Sequence, residues 1–260
     1  MLRYACLTSG SCGNSYVFYD GENAILIDMG LTLTGLKKRL IDAEVPFDAV
    51  GALFITHLHP DHVKGAGVLE RSLHPRIYLS ESSREGGLPI LSKLRLKDEM
   101  LTLMSYGDTV FENGFLVTSF RTSHDSQGSV GYFISHREGS FFLMTDTGVI
   151  PEEAFELAAR AEVLFIESNY DETMLETGPY PYVLKRRVRG ERGHLSNTQA
   201  GDFVRSCSLK GREIYFIHVS ANNNTPEKIE EMISTLDDCN SYTVCERGKS
   251  YMGCLERPQE

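Results

Sequence analysis

Four strong metal-binding side chains fall within six residues at His57-Leu58-His59-Pro60-Asp61-His62, one threonine after the apolar run Ala52-Leu53-Phe54-Ile55. Imidazole and carboxylate groups lose hydration at real cost, so crowding them at the end of a buried strand requires a compensating cation. Packing offers no other reason for the cluster. Neutral imidazole nitrogen and carboxylate oxygen suit Zn²⁺, Mn²⁺ or Fe²⁺. In extended chain residues 57 and 59 point the same way, while 61 and 62 diverge. One loop can therefore serve two neighbouring ions.

The same arrangement, an apolar strand running into a polar residue, recurs along the chain. Ile27 runs into Asp28, Thr122-Ser123 leads to His124, and Met144-Thr145 runs into Asp146. Ile166 runs into Glu167 and Ile217 into His218. Singly, such an Asp is usually a turn former or helix cap and such a His a satisfied surface or core residue. Strand ends line one edge of a sheet, however, so together with His57 these side chains converge on one mouth.

Further strands are expected at residues 16–19, 24–27, 76–79, 115–118, 130–134, 141–144, 163–166 and 214–217, and helices at 34–42, 63–72, 152–160 and 198–206. Thr225-Pro226-Glu227 opens a last helix, with proline and acid in its first turn. Gly65 and Gly67 weaken the helix over 63–72. Residues 80–106 read as an insertion or a helical lobe, and 245–260 as a strand plus a tail. With 260 residues, 41% of them hydrophobic, the chain suffices for one large domain over 1–260, in which two packed sheets flanked by helices fit. The six cysteines form no CxxC pair; Cys6 and Cys12 read as ordinary thiols rather than ligands. No secretory segment follows Met1 and no apolar run approaches the ~20 residues of a membrane span, so a reduced, cytoplasmic setting is expected.

The run 54–62 resembles the HxHxDH motif of the metallo-β-lactamase superfamily, and Asp28, His124, Asp146 and a late histidine follow in that family's order. Residues 7–14 (Leu-Thr-Ser-Gly-Ser-Cys-Gly-Asn), 165–169, 177–181, 193–197 and 218–226 resemble its bacterial YycJ/WalJ branch, related to RNase Z and other phosphodiesterases. The resemblance implies an α/β (α+β) fold, a four-layer αβ/βα sandwich with metals at one edge of the two sheets. It implies 5′→3′ exonuclease activity on DNA. It also implies two divalent ions: His57, His59 and His124 on the first, Asp61, His62 and His218 on the second, and Asp146 bridging. Asp28 and Glu167 would support these ligands from behind. His194, in Gly193-His194-Leu195-Ser196, resembles the non-ligand histidine that contacts the phosphate or leaving group. His194 and His218 can exchange these roles; His218 is preferred as ligand because it directly follows a strand.

A phosphodiester resists attack because its oxygens are negative and its nucleophile is weak, and two cations ~3.5–4 Å apart answer both difficulties. Asp61 is expected to orient or deprotonate the water, and His194 to protonate the leaving oxygen or hydrogen-bond the phosphate. The net charge of −10 argues against a general polyanion binder. Yet Lys185, Arg186, Arg187, Arg189 and Arg192 reverse that sign locally, just before His194. They read as a phosphate-tracking patch or as a solvated loop. Asn222, Asn223 and Asn224 add neutral donors for phosphate, and Tyr180 and Tyr182 are base-stacking or packing residues. The basic run argues against a lactam or thioester substrate. A small or cyclic phosphodiester and RNA stay open beside DNA. The intact ligand set disfavours a non-catalytic metal-binding module.

Overall fold

The computed structural model describes residues 1–207 and 210–256. They form two seven-stranded mixed sheets. The first runs β14 (Tyr251–Leu255), β1 (Leu2–Thr8), β2 (Ser15–Tyr19), β3 (Ala24–Ile27), β4 (Val50–Phe54), β5 (Arg76–Ser80) and β6 (Leu101–Met104). The second runs β13 (Ser241–Val244), β12 (Glu213–Ile217), β11 (Val163–Glu167), β10 (Gly139–Met144), β9 (Val130–His136), β8 (Phe115–Arg121) and β7 (Thr109–Glu112). Pairing follows the same sequence in both sheets. From β14 to β3 and from β7 to β10 neighbours are antiparallel; from β3 to β6 and from β10 to β13 they are parallel. The change occurs at β3 and β10, the strands that lead into Asp28 and Asp146.

Strand side chains alternate between faces, and here both faces are covered, which is why the strands read as unbroken apolar runs. In β4, Ala52 and Phe54 enter the layer between the sheets, while Leu53 packs outward. In β11, Val163 and Phe165 face inward and Leu164 and Ile166 outward. The outer face of the first sheet is covered by α1 (Leu33–Asp42), α2 (Pro60–Val63), α3 (Ala66–Leu73), α4 (Glu81–Gly86) and α5 (Leu88–Leu94). Leu36, Leu40, Ala66, Leu69 and Leu91 supply that contact. The second sheet is covered by α6 (Glu152–Arg160), α9 (Asn197–Ser206) and α10 (Pro226–Ile233) through Ala154, Ala158, Phe203 and Ile229. The result is the four-layer αβ/βα sandwich. Over the strand ends, α7 (Glu172–Thr177) and α8 (Tyr182–Val188) close a small core of their own around Tyr170, Leu175 and Val188.

Three expectations change. The helix over 63–72 is two helices, α2 and α3, broken at Lys64-Gly65. Gly65 lies against the Leu31 carbonyl, where a Cβ would stand 2.1 Å from the oxygen. Pro60 opens α2, so Asp61 and His62 sit on a helical turn rather than in extended chain. Residues 80–106 are neither insertion nor separate lobe: α4 and α5 join the outer layer and β6 extends the first sheet. Of the expected C-terminal strand and tail, β14 pairs with β1, and residues 257–260 lie outside the described residues. Among the described residues no helix is long and apolar enough to cross a membrane.

Phe165 is fully buried between the sheets, with Tyr4, Tyr16, Phe18 and Tyr215 at ring-centroid distances of 5.0–6.1 Å. The small side chain of Phe165→Ala leaves a cavity whose aromatic surroundings cannot collapse, so a loss of about 3–5 kcal/mol is expected. Urea denaturation measures it, and a loss below about 1 kcal/mol would contradict this packing.

Candidate metal centre

Strand ends bring the polar side chains together, and three of the turns that do so are left-handed. Asp28, Asp146 and His218 follow β3, β10 and β12 with φ of 60°, 54° and 57°. Non-glycine residues adopt this conformation at a cost of about 1–3 kcal/mol, sustained only where the surroundings enforce it. Here it turns each side chain off the strand and back towards the gap between the sheets.

Each histidine has one ring nitrogen fixed from outside. Thr56 Oγ1 donates to Asp28 Oδ2 at 2.7 Å, so its lone pair accepts from His57 Nδ1 at 3.0 Å. His62 Nδ1 donates to Asp28 Oδ2 at 2.6 Å and His124 Nδ1 to the Gly193 carbonyl at 3.0 Å. His194 Nδ1 and His218 Nδ1 both donate to Glu167 Oε1, each at 2.8 Å. His59 Nε2 faces Asp125 Oδ1 at 3.4 Å. With these protons outside, the inward nitrogens of the neutral rings His57, His59 and His124 carry bare lone pairs. Nε2 of His62 and of His218 instead faces Asp146 and Asp61 at 3.3 and 3.8 Å and keeps a proton that a cation would displace. His59 Nδ1 stands 3.2 Å from His124 Nε2, and His57 Nε2 and His218 Nε2 are buried without a hydrogen-bond partner.

The inward atoms group as a cation would gather them. Donor atoms of His57, His59 and His124 lie within 4.8 Å of one another, as do those of Asp61, His62 and His218. Asp146 belongs with His57 and His62 in one group and with Glu167, His194 and His218 in another, so it stands between the two sets. Orphaned buried lone pairs beside carboxylates are costly without a positive charge. This donor set fits divalent metal, and the outer hydrogen bonds fix the ring orientations that such ligation requires.

Electrostatics divide the histidines in the same way. Burial holds His57 well below its ordinary pKa and also lowers His59 and His124, aided by neighbouring imidazoles; these three are neutral. Burial opposes charge on His62 too, but Asp28 and Asp146 outweigh it and push His62 up to about 10. His218 rises against burial because Asp146, Asp61 and Glu167 surround it. Among the acids, burial is overcome by the histidines, which hold Asp146 well below the carboxylate range and Glu167 at about 2. Asp28, wholly buried, is raised instead.

Other residues chosen from the sequence are placed unequally. His194 lines the central cavity, half-buried, with Nε2 left free by the Glu167 bond. Of the basic run only Arg187 lines that cavity, held at 2.5 Å by Asp125. Lys185 donates to the Glu176 carbonyl, and Arg189 pairs with the Glu176 carboxylate at 3.0 Å. Arg186 is exposed on α8, and Arg192 lies beyond His124, donating to its carbonyl at 3.1 Å. The run is thus no continuous patch. Asn222 and Asn223 line the cavity, Asn222 donating to the Tyr180 hydroxyl at 3.1 Å. Asn224 does not: its amide donates to the Ser168 carbonyl and to Asn197 Oδ1, a buried packing role. Tyr180 borders the cavity, whereas Tyr182 is exposed at the start of α8. Cys6 is buried in the layer between the sheets and Cys12 is exposed; neither joins a ligand group.

Three contributors escape sequence reasoning. Thr56 joins Asp28 to both His57 and His62. Asn14 places its amide nitrogen 2.9 Å from His62 Nε2 and donates to Asp61 Oδ2 at 3.3 Å. Asp125 links His59 and His124 to Arg187. Threonine between a strand and a ligand carries no periodic signal, and Asn14 and Asp125 reach the site only through folding. Gly30 explains the loop around Asn14: a Cβ there would meet the Asp61 carbonyl oxygen at 1.8 Å.

Known proteins are similar to this chain in sequence and in fold. Residues 23–219 match the family described as the beta-lactamase superfamily domain. The chain is 29% identical over 226 residues to the exodeoxyribonuclease WalJ of Streptococcus pneumoniae, covering 86% of this chain and 84% of that protein. It is 28% identical over 246 residues to the exodeoxyribonuclease YycJ of Bacillus anthracis, covering 94% and 92%. Among solved structures, the metallo-beta-lactamase fold protein YhfI of Bacillus subtilis superposes with a TM-score of 0.70 at 15% identity, over 96% of this chain and 99% of that one.

Glu167→Gln retains shape but replaces the anion that accepts from two imidazoles. Metal affinity should fall about 10–100-fold, as for other groups that orient ligands from behind. Equilibrium dialysis against a chelating buffer gives the value, and unchanged affinity would mean that Glu167 does not support the centre.

Proposed function

We propose that this chain, which belongs to the beta-lactamase superfamily, is a metal-dependent phosphodiesterase that degrades DNA from a 5′ end. The observation that carries the reading is the convergence of seven candidate ligands, His57, His59, Asp61, His62, His124, Asp146 and His218, beside a histidine that has a free nitrogen facing the same cavity. The names of the WalJ and YycJ relatives supply the substrate class. His57, His59 and His124 would hold one ion, Asp61, His62 and His218 a second, with Asp146 common to both. Zn²⁺ and Mn²⁺ suit this nitrogen-and-oxygen donor set, as does Fe²⁺. Bound there, divalent cations make water acidic near neutral pH and stabilise negative charge on phosphoryl oxygen.

The protein's own groups do the rest. Asp61, half-buried and lowered in pKa chiefly by His218 and His62 against the effect of burial, is an anion placed to orient the attacking water and take its proton. His194 presents Nε2 to the cavity, and Glu167 fixes its tautomer by accepting from Nδ1. A protonated His194 donates to the leaving oxygen, and Glu167 stabilises the cationic ring. Because Glu167 accepts from His218 with the same oxygen, donor and ligand share one support. Arg187 offers a guanidinium to the strand while Asp125 holds it at the mouth. Tyr180, with Asn222 on its hydroxyl, borders the same opening and offers a ring face for a base.

End-labelled single- and double-stranded DNA and RNA, incubated with Mn²⁺, Zn²⁺ or Mg²⁺, should give mononucleotides from the 5′ end of DNA; release of none under all three metals overturns the reading. His194→Ala should keep its metal and lose about 10²–10⁴-fold in kcat, the range for a positioned acid or base. Loss of metal in that variant would instead make His194 a ligand and release His218 from that role.

A further inference from the structure

Beside the metal centre, on the far side of His124, lies a second cavity of about 520 Å³ that the proposed reaction leaves unused. Its wall is Arg121 at the end of β8 and the loop 122–129 that joins β8 to β9, closed by Ser82, Tyr106 and Arg192. His124 belongs to the wall of both cavities, so the two are neighbours.

Its chemistry is that of an anion site. Two guanidinium groups, those of Arg121 and Arg192, border it, and no aspartate or glutamate does among the described residues. Neither guanidinium has a carboxylate partner among the described residues, so neither is held in an ion pair, unlike Arg187 and Arg189. Of the acids around it, Glu153 accepts from the Arg121 backbone at 3.0 Å, Asp125 from Arg187 and Glu81 from Ser105. Arg121 lies over the Tyr106 ring at 5.7 Å, which holds the guanidinium in place without neutralising it. Arg192 spends only Nε, on the His124 carbonyl. Hydroxyls from Ser82, Ser126 and Thr122 join the wall, and Thr122 Oγ1 is buried without a hydrogen-bond partner. Mixed arginine and hydroxyl donors with no acid match the oxygens of a phosphate.

The wall is also built, not a loose surface loop. Ser80 Oγ and Ser83 Oγ donate to the Gly128 carbonyl at 2.6 and 3.0 Å, and Thr122 and Ser129 bond across the loop base. Gly128 has φ +77°, and a Cβ there would strike the Ser83 nitrogen at 2.2 Å.

We infer that this cavity seats a phosphate of the nucleic acid strand adjacent to the one hydrolysed at the metal centre, with Arg121 and Arg192 as its cationic walls. The inference rests on the nuclease reading for its substrate and adds the site that fixes the strand's register. The bound phosphate is either the terminal 5′-phosphate or an internal phosphodiester.

Equilibrium binding to the metal-loaded protein separates these sources. The probes are single-stranded oligonucleotides with phosphorothioate linkages that resist cleavage, carrying either a 5′-phosphate or a 5′-hydroxyl, followed by fluorescence anisotropy across a salt series. Arg121→Gln should weaken binding and reduce the slope of log K against log salt by about 0.7, the value for each phosphate neutralised on a single strand. Arg121→Glu should weaken it further. Loss confined to the phosphorylated probe assigns the terminal phosphate, and equal loss on both assigns an internal one. Wild-type affinity and slope on both probes, in both variants, overturn the proposal. If the protein cleaves DNA and the variants bind normally, the second cavity alone is refuted. If Arg121 governs binding but no nucleic acid is cleaved, the nuclease reading fails and the phosphate site stands.

Discussion

Glu167 is buried completely, and a carboxylate can be buried only when its oxygens are fully engaged. Its partners come from three parts of the chain. Oε1 accepts from His194 and His218, and Oε2 from the backbone nitrogens of Thr147 and Leu195, both at 3.1 Å. These four bonds tie the ends of β10, β11 and β12 to the loop before α9. Breaking any one costs about 1.5–3 kcal/mol, the worth of a hydrogen bond to a charged group. The positions of the strand ends, the tautomers of two histidines and the place of the loop before α9 all depend on this one group.

Asp28 does the same on the other sheet. It follows β3, where pairing changes from antiparallel to parallel, and gathers Thr56 and His62, its oxygens accepting from the Thr56 nitrogen at 2.8 Å and from its hydroxyl at 2.7 Å. Asp146 follows β10 at the equivalent change in the second sheet, with the same left-handed turn, but its carboxylate points into the centre. Repeating one pairing scheme in two sheets brings two such corners face to face. One supplies the support and the other the carboxylate proposed to be shared between the two donor sets. The candidate ligands then come from both sheets, so a cation held by them would link the two.

The strands and their order of polar ends are legible in the sequence because each has a local cause. Runs such as residues 163–166 and 214–217 are apolar throughout because both faces are covered, and they stop where a charged residue must reach the edge. The break in the helix over 63–72 is not legible, because it comes from a contact, Gly65 against the Leu31 carbonyl, that no periodicity encodes. The basic residues at 185–192 look like one patch in sequence. A turn of helix and the position of Glu176 send Lys185 and Arg189 one way, Arg187 into the cavity and Arg192 to a second one. Asn224, adjacent in sequence to two cavity residues, turns inward to Asn197.

By itself the sequence determined which side chains are candidates to bind a cation: four potential ligands in six residues, and an acid or a histidine after each of several buried strands. That follows from hydration cost and strand periodicity, both local properties. Only the tertiary structure decided which nitrogen of each imidazole is free, because the proton is placed by partners such as Asp28, Thr56, Gly193 and Glu167 that lie far away in the chain or across a turn. It alone decided that Asn14 and Asp125 belong to the centre, and that Arg121 and Arg192, far apart in the chain, form two walls of one cavity. Those are matters of distance between segments, and distance is what folding adds.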